Sequence, residues 1–110
     1  MEKETMAQHR AQTLVYLEQR RQESLWGQQD HKATRWALIL QEEVGELAKA
    51  VLNGDAHEIT DELVQVAAVA RTWLESTMGD DEFFICMCKR LSGRAHGAQA
   101  EPAPAPEEGE

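Results

Sequence analysis

Cysteine occurs twice, proline three times and glycine seven times in 110 residues, and aromatic side chains make up only 5%. Cys86 and Cys88 stand two apart, a spacing that does not readily meet disulfide geometry, so a disulfide framework is excluded and both read as reduced core or interface thiols. No apolar run approaches the roughly 20 residues of a bilayer span, and residues 1–10 are polar and mixed in charge. A cytoplasmic protein without membrane partners is expected. Positive charge is also short: Lys and Arg number 11 against 20 Asp and Glu, a net charge of -9. Affinity for a nucleic acid polymer comes mostly from Lys and Arg neutralising phosphates, so that partner class is not expected either. There is no Gly-rich phosphate loop, no internal repeat and no strand-like alternation.

What is present is helical. Apolar content of 42% and a mean hydropathy of -0.56 suit one soluble globular domain. A chain this short buries only about two thirds of its unfolded surface, so a homo-oligomer, dimer or tetramer, is expected. Residues 4–25 scatter Met6, Leu14, Val15, Leu17 and Leu25 among helix-favouring Gln, Arg and Glu, which predicts a long one-sided helix ended by Gly27. Trp36, Leu40, Val44, Leu47 and Val51 recur at helical steps and predict a second helix over 33–52, stopped by Asn53-Gly54-Asp55. Ile59, Leu63, Val66, Val69, Ala70, Trp73 and Leu74 predict a third over 56–77, ending near Gly79. Asp80 or Asp81 can cap a fourth over 82–91, packed through Phe83, Phe84 and Met87. The fold class is therefore all-α: an antiparallel bundle of about four helices over 1–96, with the Ala, Pro, Gly and Glu-rich stretch 97–110 as a disordered acidic tail.

Carboxylates crowd the two central predicted helices: Glu42, Glu43 and Glu46 on one, and Glu58, Asp61 and Glu62, followed by Gln65, on the other. At about 100° per residue, with Trp36 as zero, the apolar arc of the second helix centres near about 40°, Glu43 falls at roughly 340° and Glu46 at roughly 280°. On the third helix, with Glu58 as zero, Glu62 lands at roughly 40°, inside an arc centred near about 100°. An unpartnered carboxylate in a core costs several kcal/mol, and few bases are placed to face it. A hard divalent cation answers the need, because Mg²⁺ takes oxygen ligands and bridges carboxylates to substrate phosphates. Glu43 with Glu46, and Glu62 with Gln65, each lie one turn apart on one face, so two such pairs can converge on one or two ions.

Glu42-Glu43-Val44-Gly45-Glu46-Leu47 and Asp61-Glu62-Leu63-Val64-Gln65 together resemble the all-α nucleoside triphosphate pyrophosphohydrolases of the MazG-like family, which carry an EExxE motif on one helix and ExxD on the next. The similarity covers residues 22–76 and includes Trp26-Gly27-Gln28-Gln29-Asp30-His31, which looks like a stretch preceding EExxE in some phage and actinobacterial members. The resemblance implies a hydrolase that uses Mg²⁺ or Mn²⁺ to convert a nucleoside triphosphate to monophosphate and pyrophosphate. It implies metal ligation by Glu43, Glu46, Glu62 and Gln65; the neutral Gln65 stands at the family's Asp, so metal affinity and activity should be weaker unless Asp61 or Glu58 compensates. The literal ExxD of Glu58-Ile59-Thr60-Asp61 leaves Glu62 out of register, and the helical wheel favours Glu62 and Gln65 instead. Glu42 or Glu46 would activate the attacking water. Trp26, His31 and Trp36 would meet the base, and Lys32 and Lys49 the phosphates. Trp36 and Trp73 also fit plain core packing, and Lys49 a local ion pair. Two other readings stand beside the enzyme: a nucleotide-sequestering protein of the same fold without turnover, and a structural helical module.

Overall fold

The structure is a computed structural model in which residues 4–96 are described. It is all-helical among the described residues, with α1 over Met6–Trp26, α2 over Ala33–Asn53, α3 over Ala56–Ser76 and α4 over Asp81–His96. The acidic tail expected over 97–110 lies outside the described residues. No helix among them is long and apolar enough to cross a membrane.

Local chemistry accounts for where each helix starts and stops. Thr5 and Gln8 form a reciprocal capping box at the start of α1: the Gln8 amide donates to the Thr5 hydroxyl at 3.1 Å and the Thr5 amide to the Gln8 side chain at 2.7 Å. α2 ends on Gly54, whose φ of 76° and ψ of 13° are left-handed, and whose N–H donates to the carbonyls of Ala50 and Val51. Asp55 then caps α3 by accepting from the amides of His57 and Glu58 at 2.9 and 3.1 Å. The turn between α2 and α3 thus needs only two residues. Asp55→Ala should cost about 1 kcal/mol and Gly54→Ala about as much, read as lower urea midpoints at unchanged slope. Asp80 caps α4 through the amides of Glu82 and Phe83, as one of the two expected aspartates.

The chain divides between Thr77 and Met78 into two compact units. In the first, α3 packs against both α2 and α1. Its core is small: Trp36 and Ala50 from α2, and Ala68 and Val69 from α3, with Gln22 of α1 as the buried polar residue. The inward stripe of α2 runs through Trp36, Leu40, Glu43, Leu47 and Ala50, each buried or half-buried. Val44 and Val51, expected inside, are 47% and 55% exposed. On α3 the stripe takes in Ile59, Glu62, Val66, Val69 and Trp73, while Leu63 is 51% exposed and Ala70 is exposed as well. Both stripes are thus turned from the purely apolar arcs toward a carboxylate, because the arc on each helix is wider than the face its neighbours cover.

The second unit is described by α4. This helix runs five residues past the expected end at Leu91, straight through Gly93. Cys86 and Cys88 are free and exposed rather than core residues, and Phe83 and Phe84 are exposed too.

Candidate functional site

Trp36 anchors one end of the site. Only 1% exposed, its indole lies parallel to that of Trp73, at 6.4 Å between centroids and 7° between planes. His31, from the segment joining α1 and α2, meets it edge-on at 4.9 Å and 71°. The expected base-facing role of Trp36 therefore gives way to a core role: it joins α2 to α3 and holds His31. Its Nε1–H is buried without an acceptor.

Two turns along α2 from Trp36, Glu43 occupies the inward stripe, and Glu62 does so on α3. One carboxylate oxygen of each, Glu43 Oε2 and Glu62 Oε2, is buried with no hydrogen-bond partner among the described residues. Burial pushes the Glu43 carboxyl above its ordinary value, and the charges of Glu62, Glu46, Glu18 and Glu42 push it further. Burial likewise raises Glu62, followed by the charges of Glu46, Asp61 and Glu58. Two inward acids thus each sit in a field of like charge.

The other expected ligands lie around this pair. Glu46 is exposed and accepts from Lys49 at 3.5 Å, the local pairing anticipated for that lysine. Glu42 and Asp61 are exposed, and Gln65 is half-buried. Among the described residues no three His, Cys, Asp or Glu side chains are gathered into a ready-made metal cage. Two inward carboxylates nevertheless suit Mg²⁺, which commonly takes one or two protein carboxylates and completes its octahedron with waters and substrate phosphate.

A cleft of about 630 Å³ opens beside Glu43, bordered also by Trp26, His31, Arg35, Glu42 and Gln65. Trp26 is 61% exposed there, an apolar ring free on the surface. Lys32, Trp36, Lys49, Glu46, Glu62 and Asp61 do not border this cleft. Lys32 instead starts α2, its carbonyl accepting from the amides of Arg35 and Trp36 at 3.0 Å.

Four residues of the neighbourhood escape a reading of the motifs. Arg35 precedes Trp36 and so points about 100° away from the core, onto the cleft. On α1, Glu18 accepts from Arg21 Nε and a terminal guanidinium nitrogen, both at 2.8 Å, and from Gln22 Nε2 at 2.9 Å. The hydrogen bond from Arg21 is the main reason the Glu18 carboxyl lies below its ordinary value. The three- and four-residue spacing of Glu18, Arg21 and Gln22 is the one signal that marks them as neighbours in the sequence.

No model of a known protein family matches this chain, and neither does any curated protein or solved structure.

Proposed function

We propose that the chain is a metal-dependent nucleoside triphosphate pyrophosphohydrolase of MazG-like type. The observation that carries this reading is the pair of inward, unpartnered carboxylate oxygens of Glu43 and Glu62 on two packed helices, with Glu43 lining a cleft large enough for a nucleotide. The EExxE run Glu42–Glu46 supports it from the sequence side.

Glu43 and Glu62 would hold Mg²⁺ or Mn²⁺, with Glu46, Gln65 and Asp61 around them; such an ion polarises phosphate oxygens and lowers the pKa of a bound water. Trp26 offers its exposed face to the base, His31 is fixed in orientation by Trp36, and Arg35 supplies a guanidinium to the phosphates. Glu42, exposed on the cleft, is the carboxylate positioned to accept a proton from the attacking water. The water oxygen bonds to the α-phosphorus, and the bond from that phosphorus to the α,β-bridging oxygen breaks. The electron pair of that bond leaves with pyrophosphate, and the proton passes through Glu42 to solvent.

The same reading takes α2 and α3 as an antiparallel pair and the chain as a homodimer or homotetramer. Half-exposed Val44, Val51 and Leu63 support the assembly, since an interface would cover them. A sequestering protein without turnover is the second reading, favoured by the neutral Gln65 and by the lack of a third gathered acid among the described residues.

The test is pyrophosphate release from a panel of standard and modified ribo- and deoxynucleoside triphosphates with Mg²⁺ or Mn²⁺. Metal-dependent release from at least one of them is expected. Nucleotide binding without release would replace the enzyme with the sequestering protein, and neither binding nor a metal effect would leave a structural module.

A further inference from the structure

A triphosphate brought to Glu43 and Glu62 meets a strongly acidic neighbourhood, and its terminal phosphates need a cation of the protein's own. Lys49, beside Glu46 on α2, borders neither the cleft nor a groove between α1 and α3. Lys32 borders neither the cleft nor the groove described next. Two guanidinium groups do border one or the other. Arg35 borders the cleft with Trp26 and His31. Arg21 borders a second depression, a groove of about 500 Å³ between α1 and α3 that also carries Glu18 and Asp61. Gln65 borders both, so the cleft, which Glu43 also lines, and the groove share one wall residue.

Arg21 is built into this position. Its side chain is 52% exposed, whereas that of Glu18, which grips it, is only 12% exposed. Glu18 takes two of the five guanidinium N–H groups and is itself held by Gln22, the buried polar residue of the core. Among the described residues the remaining three N–H donors have no partner and lie in one plane, the arrangement that suits bidentate recognition of phosphate. Its protonated state is favoured first by the Glu18 hydrogen bond and charge, with a smaller contribution from Glu43, whose field therefore reaches Arg21.

We propose that Arg21, positioned by Glu18, binds the pyrophosphate portion of the substrate and the pyrophosphate released from it, in the groove between α1 and α3. The inference rests on the pyrophosphohydrolase reading above and extends it: the nucleoside end lies at Trp26 and the β- and γ-phosphates lie past Gln65. Arg21 is a binding residue and Glu18 a positioning one.

The experiment is calorimetric titration of the full chain with inorganic pyrophosphate plus Mg²⁺, and separately with a nucleoside monophosphate plus Mg²⁺. Wild type is compared with Arg21→Gln, Arg21→Lys and Glu18→Gln, and the melting of every variant is recorded. Loss of a charge-assisted contact predicts that Arg21→Gln weakens pyrophosphate binding about tenfold or more and monophosphate binding less than about twofold. Arg21→Lys should recover part of the loss, and Glu18→Gln should weaken pyrophosphate selectively but less. No pyrophosphate binding by wild type, equal weakening of both ligands, or no change in Arg21→Gln each overturns the proposal. The titration needs no turnover, so a chain that binds pyrophosphate through Arg21 yet releases none from any triphosphate would refute the enzyme and keep the site.

Discussion

Replacing Glu62 with glutamine should do two opposite things: abolish metal-dependent pyrophosphate release and make the metal-free protein harder to melt. The rate effect follows from removing one of the two unpartnered inward carboxylates found among the described residues. Losing a metal-side charge that is felt most in the transition state should cost about 4 kcal/mol, or about a thousandfold in kcat/KM. The stability effect follows from the same geometry. Glu62 Oε2 is buried without a donor and sits in the field of Glu46, Asp61 and Glu58. An uncharged side chain of the same shape relieves that repulsion, and a gain of about 1 kcal/mol raises the melting temperature by about 4 °C or more in a domain of this size. Glu43→Gln should behave alike, since Glu43 carries the same signature. Melting with a chelator and a pyrophosphate assay with Mg²⁺ suffice. A Glu62→Gln protein that melts earlier and keeps its activity would make the carboxylate a structural element and dissolve the site.

Stability of the metal-free chain should fall as pH rises from about 4.5 toward neutrality, and Mg²⁺ or Mn²⁺ should reverse the fall. Glu43 and Glu62 both have carboxyls raised above the ordinary value of 4.5 in the folded state. Over the interval between the ordinary and the raised values, the folded chain binds more protons than the unfolded one. The slope of unfolding free energy with pH is then negative, and the loss is complete once both folded carboxyls have ionised. Glu18 has the opposite sign: its carboxyl is lowered by Arg21, so its contribution is present above 4.5 and disappears as pH drops through its folded value. The metal-free optimum should therefore lie in mildly acid solution. A cation bound by the ionised pair stabilises the fold by about 2.7 kcal/mol at one hundred times its Kd. That gain should be large at pH 7.5 and shrink at pH 5, where protons compete for the same oxygens. Melting curves at the two pH values, each with chelator and with metal, read both effects. A metal gain equal at both pH values would mean that the ion binds elsewhere.

The helices themselves were legible because their ends are written in single residues: Gly27, Gly54 and Asp55 act through backbone geometry and capping that need no tertiary partner. The inward placement of Glu43 and Glu62 was legible from helical phase, and the structure sharpens it by putting both on the stripes that Val44, Val51 and Leu63 leave. The role of α1 was not legible. Glu18, Arg21 and Gln22 look like a solvated polar face, and the burial of Gln22 arises only when α1 packs on α3 and the chain after Gly27 folds back. The fourth helix is expected to end at Leu91, yet a glycine inside a helix costs only about 1 kcal/mol against alanine, and α4 runs on through Gly93. Trp36 shows a different limit: its spacing fits an inward position equally well for a core residue and for a cleft residue. Only the parallel ring of Trp73 against it separates the two.

The three tryptophans divide their surroundings in a way that makes the protein its own spectroscopic instrument. Trp36 is buried and stacked on half-buried Trp73, while Trp26 stands exposed on the cleft. Emission from Trp26 should be quenched by a stacking nucleobase and should also be reached by a soluble quencher such as iodide. The paired rings, coupled to one another and shielded, should dominate near-ultraviolet circular dichroism and vanish from it only on unfolding. Occupancy of the cleft and integrity of the fold can thus be followed in one cuvette by two separate optical signals.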